Sequence, residues 1–383
     1  MRRRRPARQR SALGWGLAFF ALGQLALILT MEYWRPELAD PEYGIKLACL
    51  RARLAERPDC RPLIVVLGSS RVSMGLRPEH LVVNRSPARR TPLVFNFGIC
   101  QSGLTTQLLC LRRLLADGVR PDVVAIEFYA PLLAKDDAIV DRFDIRRLRW
   151  DDERLYRRYV SRPEVLRRRW WRGELVPIFY HRALLWNVWM PELLDKDQRL
   201  DSQWRGLQPE GWVAIPWFSQ RQPAVDKEVA ENHRCVLERF QVCAVANRAL
   251  RELLALCRDR QITVGCLLLP ESSAFRGAYT AAMETGLVSF KQQVERNFNV
   301  PVIDARAWMS DEHMVDGVHL THAGALAFTR LFEKRVLPHL LEAWSERFCS
   351  SLVGCRWANA FSVRKKGDGN FEDLQPGRLP EAK

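Results

Sequence analysis

From its amino end the chain opens basic and then runs apolar from Ala12 to Met31, ALGWGLAFFALGQLALILTM, with no charge and one amide, Gln24. As a helix rising about 1.5 Å per residue, this run crosses a hydrocarbon layer of about 30 Å. Past Met31 the apolar residues come in shorter groups. Residues 32–61 read as a polar connector with one short helix, Tyr43 to Glu56. Leu63 to Leu67 is a β-branched run of strand length, Leu93 to Ile99 a second, and Asp122 to Tyr129, opened by Pro121, a third. Between the last two lies TTQLLCLRRLLADG, helical in spacing and closed by Gly118. Strand, helix and strand joined by short turns predict βαβ units and a parallel sheet.

The rhythm stops from Ile139 to Gln222, which carries eight of the thirteen tryptophans and dense arginine, as in RRYVSRPEVLRRRWWRG. Patchy periodicity and recurring prolines predict helices and loops inserted into an α/β domain. The rhythm then resumes. Glu228 to Asp259 has helical spacing, with Val236, Phe240, Cys243, Ala244 and Leu250 able to share a face. Ile262 to Leu269 reads as a strand, Tyr279 to Phe298 as a helix, VPVIDA as a short strand, and Ala323 to Trp344 as the last helix. The chain thus divides into a basic tail (1–11), the apolar segment (12–31), the connector (32–61), a first α/β part (62–138), the insertion (139–222), a second α/β part (223–345) and a tail (346–383). Beyond Arg364 the tail is polar and dotted with glycine and proline, a composition expected to be disordered.

Composition sharpens this reading. The 48% hydrophobic content supports a sizeable core. Six of the positive charges behind the net +15 fall in the first ten residues, MRRRRPARQR. By the positive-inside rule those arginines stay cytoplasmic, and everything after Met31 is exported. Tyr33 and Trp34 stand where an aromatic belt would sit, and no small-x-small cleavage site follows the apolar run, so an uncleaved single-pass anchor is expected. Export removes nucleic acid as a partner. Of ten cysteines, Cys49 with Cys60 and Cys349 with Cys355 are the nearest candidates for disulfides; Cys110, Cys257 and Cys266 sit in apolar runs and read as buried thiols. No CxxC and no Cys/His group of zinc spacing occurs, so neither a structural metal nor a cofactor is expected.

Two short stretches carry candidate chemistry. LIVVLGSSR ends a strand in Gly-Ser-Ser, where a serine could cap a helix or be a nucleophile at the carboxyl end of a sheet. A serine nucleophile needs a base, and the base a carboxylate to orient it. Asp316-Gly-Val-His319 lies after the VPVIDA strand and before the last helix, within reach of that carboxyl end. Its bland alternative is a turn aspartate beside a half-buried histidine.

Together these pieces resemble the SGNH (GDSL-like) hydrolase superfamily. LGSSR (67–71) resembles its first block and NFGICQSGLT (96–105) its second; DGVHLTHAG (316–324) resembles its carboxy-terminal Asp-x-x-His block. The resemblance implies a three-layer, flavodoxin-like parallel sheet. It also implies a Ser70–His319–Asp316 triad, with oxyanion donors at Ser70 and Gly103. The third block departs: IEFYAPL has Glu127 and Tyr129 where the family has an asparagine, so Tyr129 or Gln101 would have to replace that donor. Arg71 and Glu127, beside the serine, are expected to meet substrate; Glu127 has a plainer reading as an ion-pair partner of Arg71. With an amino-terminal anchor, the chain is similar to the SGNH-like proteins of alginate O-acetylation and teichoic-acid D-alanylation. That implies acyl transfer on an envelope glycan or polymer, with an integral-membrane acyltransferase as partner; the alternative is an inactive scaffold or polymer-binding protein. The insertion, leaving near the serine, is expected to wall the crevice with Trp170, Trp171 and Arg172, or else to sit at the membrane surface or form core.

Overall fold

The computed structural model describes residues 6–85, 91–134, 147–160, 162–195, 198–238 and 240–351. Helix α1 (Pro6–Leu29) runs into a π-helical turn at Thr30–Trp34. It is the one helix among the described residues long and apolar enough to cross a membrane, and none of its apolar window is buried. Helix α2 (Pro41–Glu56) starts where the Asp40 side chain accepts from the Tyr43 N–H, with Pro41 in the first turn.

The α/β part follows with β1 (Leu63–Gly68), α3 (Ser70–Gly75), α4 (Val82–Arg85), β2 (Leu93–Gly98), α5 (Leu104–Ala116), β3 (Val123–Phe128) and α6 (Ala130–Ala134). The insertion supplies α7 (Trp150–Tyr156), α8 (Pro163–Leu175), α9 (Pro177–Tyr180) and α10 (Arg182–Trp189). The chain re-enters the α/β layers through α11 (Pro223–Glu238), α12 (Ala244–Asp259), β4 (Thr263–Leu268), α13 (Ser273–Gly277), α14 (Ala281–Phe298), β5 (Val302–Asp304), α15 (His322–Arg335) and α16 (Leu337–Ser351).

The five strands pair in the order β2-β1-β3-β4-β5, every pair parallel. Alternate residues feed two cores, as a sheet covered on both faces requires. Leu63, Val65 and Leu67 join Leu47, Leu108, Leu250 and Leu287 on one face. Ile64 and Val66 join Val72, Phe328, Phe332 and Leu340 on the other. The strand order reverses beside β1, so the crevice at the carboxyl ends of β1 and β3 is where an open sheet holds its ligands.

The architecture is the expected α/β sheet behind one apolar helix, with local differences. The single helix expected over 228–259 is two, because the Cys243 N–H turns to the Leu133 carbonyl at 2.9 Å and its thiol caps α12. The last helix breaks at Val336, before Pro338, which has no N–H to continue the ladder. Cys49 and Cys60 are free thiols, which corrects the pairing expected between them. Cys355, expected to pair with Cys349, lies outside the described residues.

A buried ion cluster joins connector, insertion and sheet layers. Arg113 on α5 bonds Asp40 at 2.7 Å and Asp152 of α7 at 2.5 Å; Arg147 bonds Asp40 at 2.6 Å and Glu42 at 3.1 Å. Burial alone would raise the Asp40 carboxyl, but Arg147 and Arg113 outweigh it and hold it below its ordinary range. The other Glu42 oxygen accepts from the Cys100 N–H beyond β2 at 2.7 Å.

Candidate active site

Ser70 is the first residue of α3, directly after β1. Ser69 caps that helix, its side chain accepting from the Arg71 N–H at 3.2 Å. The helix can start so close to the sheet because β2 ends in Gly98, where a Cβ would lie 2.4 Å from the Ser73 nitrogen. Asn96, set within an otherwise apolar strand, fixes the same helix: its amide donates to the carbonyls of Val72 and Leu76, each at 2.7 Å.

The Ser70 hydroxyl meets His319 Nε2 at 2.8 Å, and His319 Nδ1 meets Asp316 Oδ2 at 2.8 Å. The carboxylate can only accept, which puts the ring proton on Nδ1 and leaves Nε2 to accept from the serine. Burial would raise the Asp316 carboxyl; the hydrogen bond from the His319 ring and those from the His319 and Val318 N–H groups outweigh it and keep it below its ordinary value. The loop turns at Gly317 with φ +86°, where a Cβ would lie 2.5 Å from Asp226 Oδ1. Sequence spacing thus named three residues that the fold brings into one relay.

The oxyanion candidates differ in what holds them. Among the described residues, neither the Ser70 N–H nor the Gly103 N–H donates to a backbone acceptor. Gly103 precedes α5. Gln101 has φ +61° and an exposed side chain. Tyr129, at the end of β3, is buried under Arg71, whose guanidinium carbon is 4.3 Å from the ring centre. Burial pushes its phenol up, so it remains a proton donor at neutral pH.

Arg71 and Glu127, expected to meet substrate, are committed inside the protein. Arg71 is 4% exposed and donates to the carbonyls of Val318, Leu269 and Pro270 at 3.2, 2.9 and 3.0 Å. It lies 3.4 Å from Glu127 and 3.6 Å from Glu271. Glu127 accepts from the Ser69 N–H at 2.5 Å. Together they fasten the Ser69–Ser70 turn to the ends of β3 and β4 and to the histidine loop. Burial raises the Glu271 carboxyl, and Arg71 offsets only part of that rise.

Trp170, Trp171 and Arg172 are also placed differently from the crevice wall expected of them. Trp170 is buried, donates to the Leu148 carbonyl at 3.1 Å, and packs edge-on against Trp150 and Trp171. Trp171 and Arg172 line an outward cleft of α8 with Arg167, Arg168 and Leu175. The later part of the insertion covers the site instead. The Phe218 ring centre is 5.2 Å from that of His319; His322 Nε2 meets the Ile215 carbonyl at 2.8 Å; and Trp212 donates to the Met74 carbonyl at 2.7 Å.

Sequence reasoning missed three supports. Lys46 of α2, fully buried, donates to the Gly211 carbonyl at 2.7 Å and to Ser73 Oγ at 3.2 Å; burial lowers its ammonium to about 8, against the pull of Glu42. Asp226 accepts from Ser272 Oγ at 2.7 Å, and the Ser272 N–H donates to the Gly317 carbonyl at 2.8 Å, backing the histidine loop. Phe218 is the third. None of the three had a distinguishing sequence signal: Asp226 shares its helix with Glu228, Glu231 and Glu238.

No protein-family model matches the chain, and no curated protein matches it. Among solved structures, a Bacteroides fragilis protein described as a "putative acylhydrolase" is similar over 76% of this chain and 94% of its own, at 12% identity and TM-score 0.33. At that score the likeness carries no argument about activity.

Proposed function

We propose that this protein is a membrane-anchored serine acyl-transfer enzyme of the SGNH type, an esterase or O-acyltransferase acting on an envelope glycan or polymer outside the cytoplasm. The observation that carries the reading is the continuous relay Ser70–His319–Asp316, with 2.8 Å at each junction. In the reaction His319 takes the Ser70 proton as the hydroxyl oxygen attacks the acyl carbon, forming a tetrahedral oxyanion. The protonated imidazole then gives that proton to the departing alcohol, leaving an acyl-serine. Water or an acceptor hydroxyl attacks the acyl-serine with His319 again as base, and Ser70 is released. Asp316 keeps the imidazole in the productive tautomer throughout. The N–H groups of Ser70 and Gly103 supply two oxyanion donors, and the Tyr129 hydroxyl is the candidate third. One such donor is worth about 2.7–4 kcal/mol of transition-state stabilisation.

The test is labelling of the full chain, in detergent or nanodiscs, with a fluorophosphonate. Labelling of the wild type that disappears in Ser70→Ala and survives in Ser69→Ala is expected. Labelling that follows Ser69 instead assigns the wrong serine here. Wild type that never labels across a wide pH range overturns the enzyme in favour of a scaffold. The anchor's direction is tested by a reporter fused after Arg35, expected to be active only when exported.

A further inference from the structure

Gln24 is the one amide in the apolar run of α1, and its side-chain oxygen accepts from the Ile178 N–H at 3.2 Å. That N–H belongs to the first turn of α9, where no intrahelical acceptor exists. Two otherwise unmet polar groups therefore satisfy each other beside the apolar surface of α1. Gln24 lies seven residues before Met31. At about 1.5 Å per residue this sets α9 about 10 Å inside the apolar span, not at its rim.

The neighbouring elements dip to this level and return. From α8 the chain passes through α9 and comes back along α10, whose Leu185 and Val188 pack with Leu27, Met31 and Leu38. The exposed residues of this hairpin are mostly apolar, with Arg182 and Glu192, paired with Arg205 at 2.7 Å, exposed among them. Leu175 is 71% exposed, Phe179 64%, Trp189 60% and Leu193 69%. Arginines gather further back on α8, where Arg167, Arg168 and Arg172 line the cleft with Trp171. Arg182 folds over the Phe179 ring, 4.0 Å from its centre, a long cation lying along apolar surface.

We infer that residues 171–193 form a re-entrant hairpin that enters the membrane leaflet on the side where α1 ends, with its apolar face in the acyl chains and Arg167, Arg168 and Arg172 among anionic phospholipid headgroups. The inference rests on α1 spanning the bilayer and is independent of the Ser70 chemistry. Backbone that leaves a helix at membrane depth must have its polar groups met by protein, and the Gln24–Ile178 pair meets that demand at the start of α9. An exposed apolar surface of this extent, continuous with a membrane helix, fits lipid as its occupant. Arginine forks suit phosphate oxygens.

The test replaces Phe179 and Leu193 in turn with the photo-crosslinking residue p-benzoylphenylalanine, in the full chain in nanodiscs of phosphatidylcholine and phosphatidylglycerol. Phe20 of α1 is the lipid-facing control and Val288 of α14 the solvent-facing one. Lipid adducts at 179 and 193 comparable to those at 20, with none at 288, are expected. Adducts at 20 but none at 179 and 193 overturn the hairpin. No adduct at 20 removes the spanning helix and the inference with it, whatever the fluorophosphonate result. Adducts at 179 and 193 to a second polypeptide make the face a protein interface and also overturn the proposal. The same crosslinker at Trp171 should capture phosphatidylglycerol several-fold above its share, a preference lost when Arg167→Gln, Arg168→Gln and Arg172→Gln are combined. Capture in proportion to composition overturns the headgroup assignment.

Discussion

Arg71 Nε donates to the Val318 carbonyl at 3.2 Å, so the residue that follows Ser70 holds the residue that precedes His319. The same guanidinium holds the Leu269 and Pro270 carbonyls and stands between the carboxylates of Glu127 and Glu271. Arg71→Met should leave two buried acids without their cation and cost about 3–5 kcal/mol in chemical denaturation. Arg71→Lys keeps the charge but cannot reach three carbonyls at once, so it should remain folded while its fluorophosphonate labelling rate falls at least tenfold. Equal rates for Lys and wild type would reduce Arg71 to a counter-ion.

Asp316→Asn tests the tautomer. The amide can still occupy the site but favours the wrong imidazole proton, so ester turnover should fall on the order of 10⁴-fold with the melting temperature little changed. A loss under tenfold would mean that the His319 orientation is set by the loop alone.

Lys46 predicts a pH signature. Its native ammonium titrates near 8, below its ordinary 10.5, because burial disfavours the charge. Between those values the unfolded chain binds more protons at this site than the native one, so its contribution to stability rises with pH, by up to about 1.4 kcal/mol per pH unit. Below pH 8 both states are protonated and the contribution is flat. Buried thiols such as Cys110 and Cys266 are pushed up instead, and their contribution falls with rising pH above about 9. The quantity to measure is therefore wild type minus Lys46→Met, by urea denaturation from about pH 7 to about pH 10. A difference that stays level across that window would refute the assignment.

Phe218 sits against His319 on the last turn of the insertion, so under the proposed function it would bear on substrate as well as on the base. Phe218→Ala should raise KM and lower kcat severalfold while the domain stays folded, since the ring is only half-buried. An unchanged KM with full kcat would remove the insertion from the substrate path.

Where the sequence was legible, the reason was local. Leu63–Gly68, Leu93–Gly98 and Val123–Phe128 are largely apolar runs bounded by turns, broken only by Asn96 and Glu127, and a strand buried on both faces leaves that trace. Ser70, Asp316 and His319 could be read because each sits at a strand end or before a helix, where topology fixes the meeting place. The insertion could not be read in this way. Trp170 and Phe218 look alike as aromatic residues in irregular sequence, yet one fills the main core beside Leu148 and Leu166 and the other covers His319; only tertiary contacts separate them. Arg71 was placed near the right neighbours and given the wrong task, since sequence shows charge but not burial. Lys46 was invisible because a lysine within a charged helix normally faces water.

The ion cluster of Asp40, Glu42, Arg113, Arg147 and Asp152 also decides how far the serine can travel. A loose stalk would let a catalytic head sweep a hemisphere, its reach growing with stalk length. Here the path from α1 to β1 runs through α2, and α2 is riveted at its first turn to the layers it serves. With α1 in a bilayer, Ser70 works at a single altitude. Under the proposed function the moving partner is then the substrate: a polymer would have to be fed past a stationary blade, and turnover should respond to bilayer thickness and polymer length more than to anything inserted before residue 12.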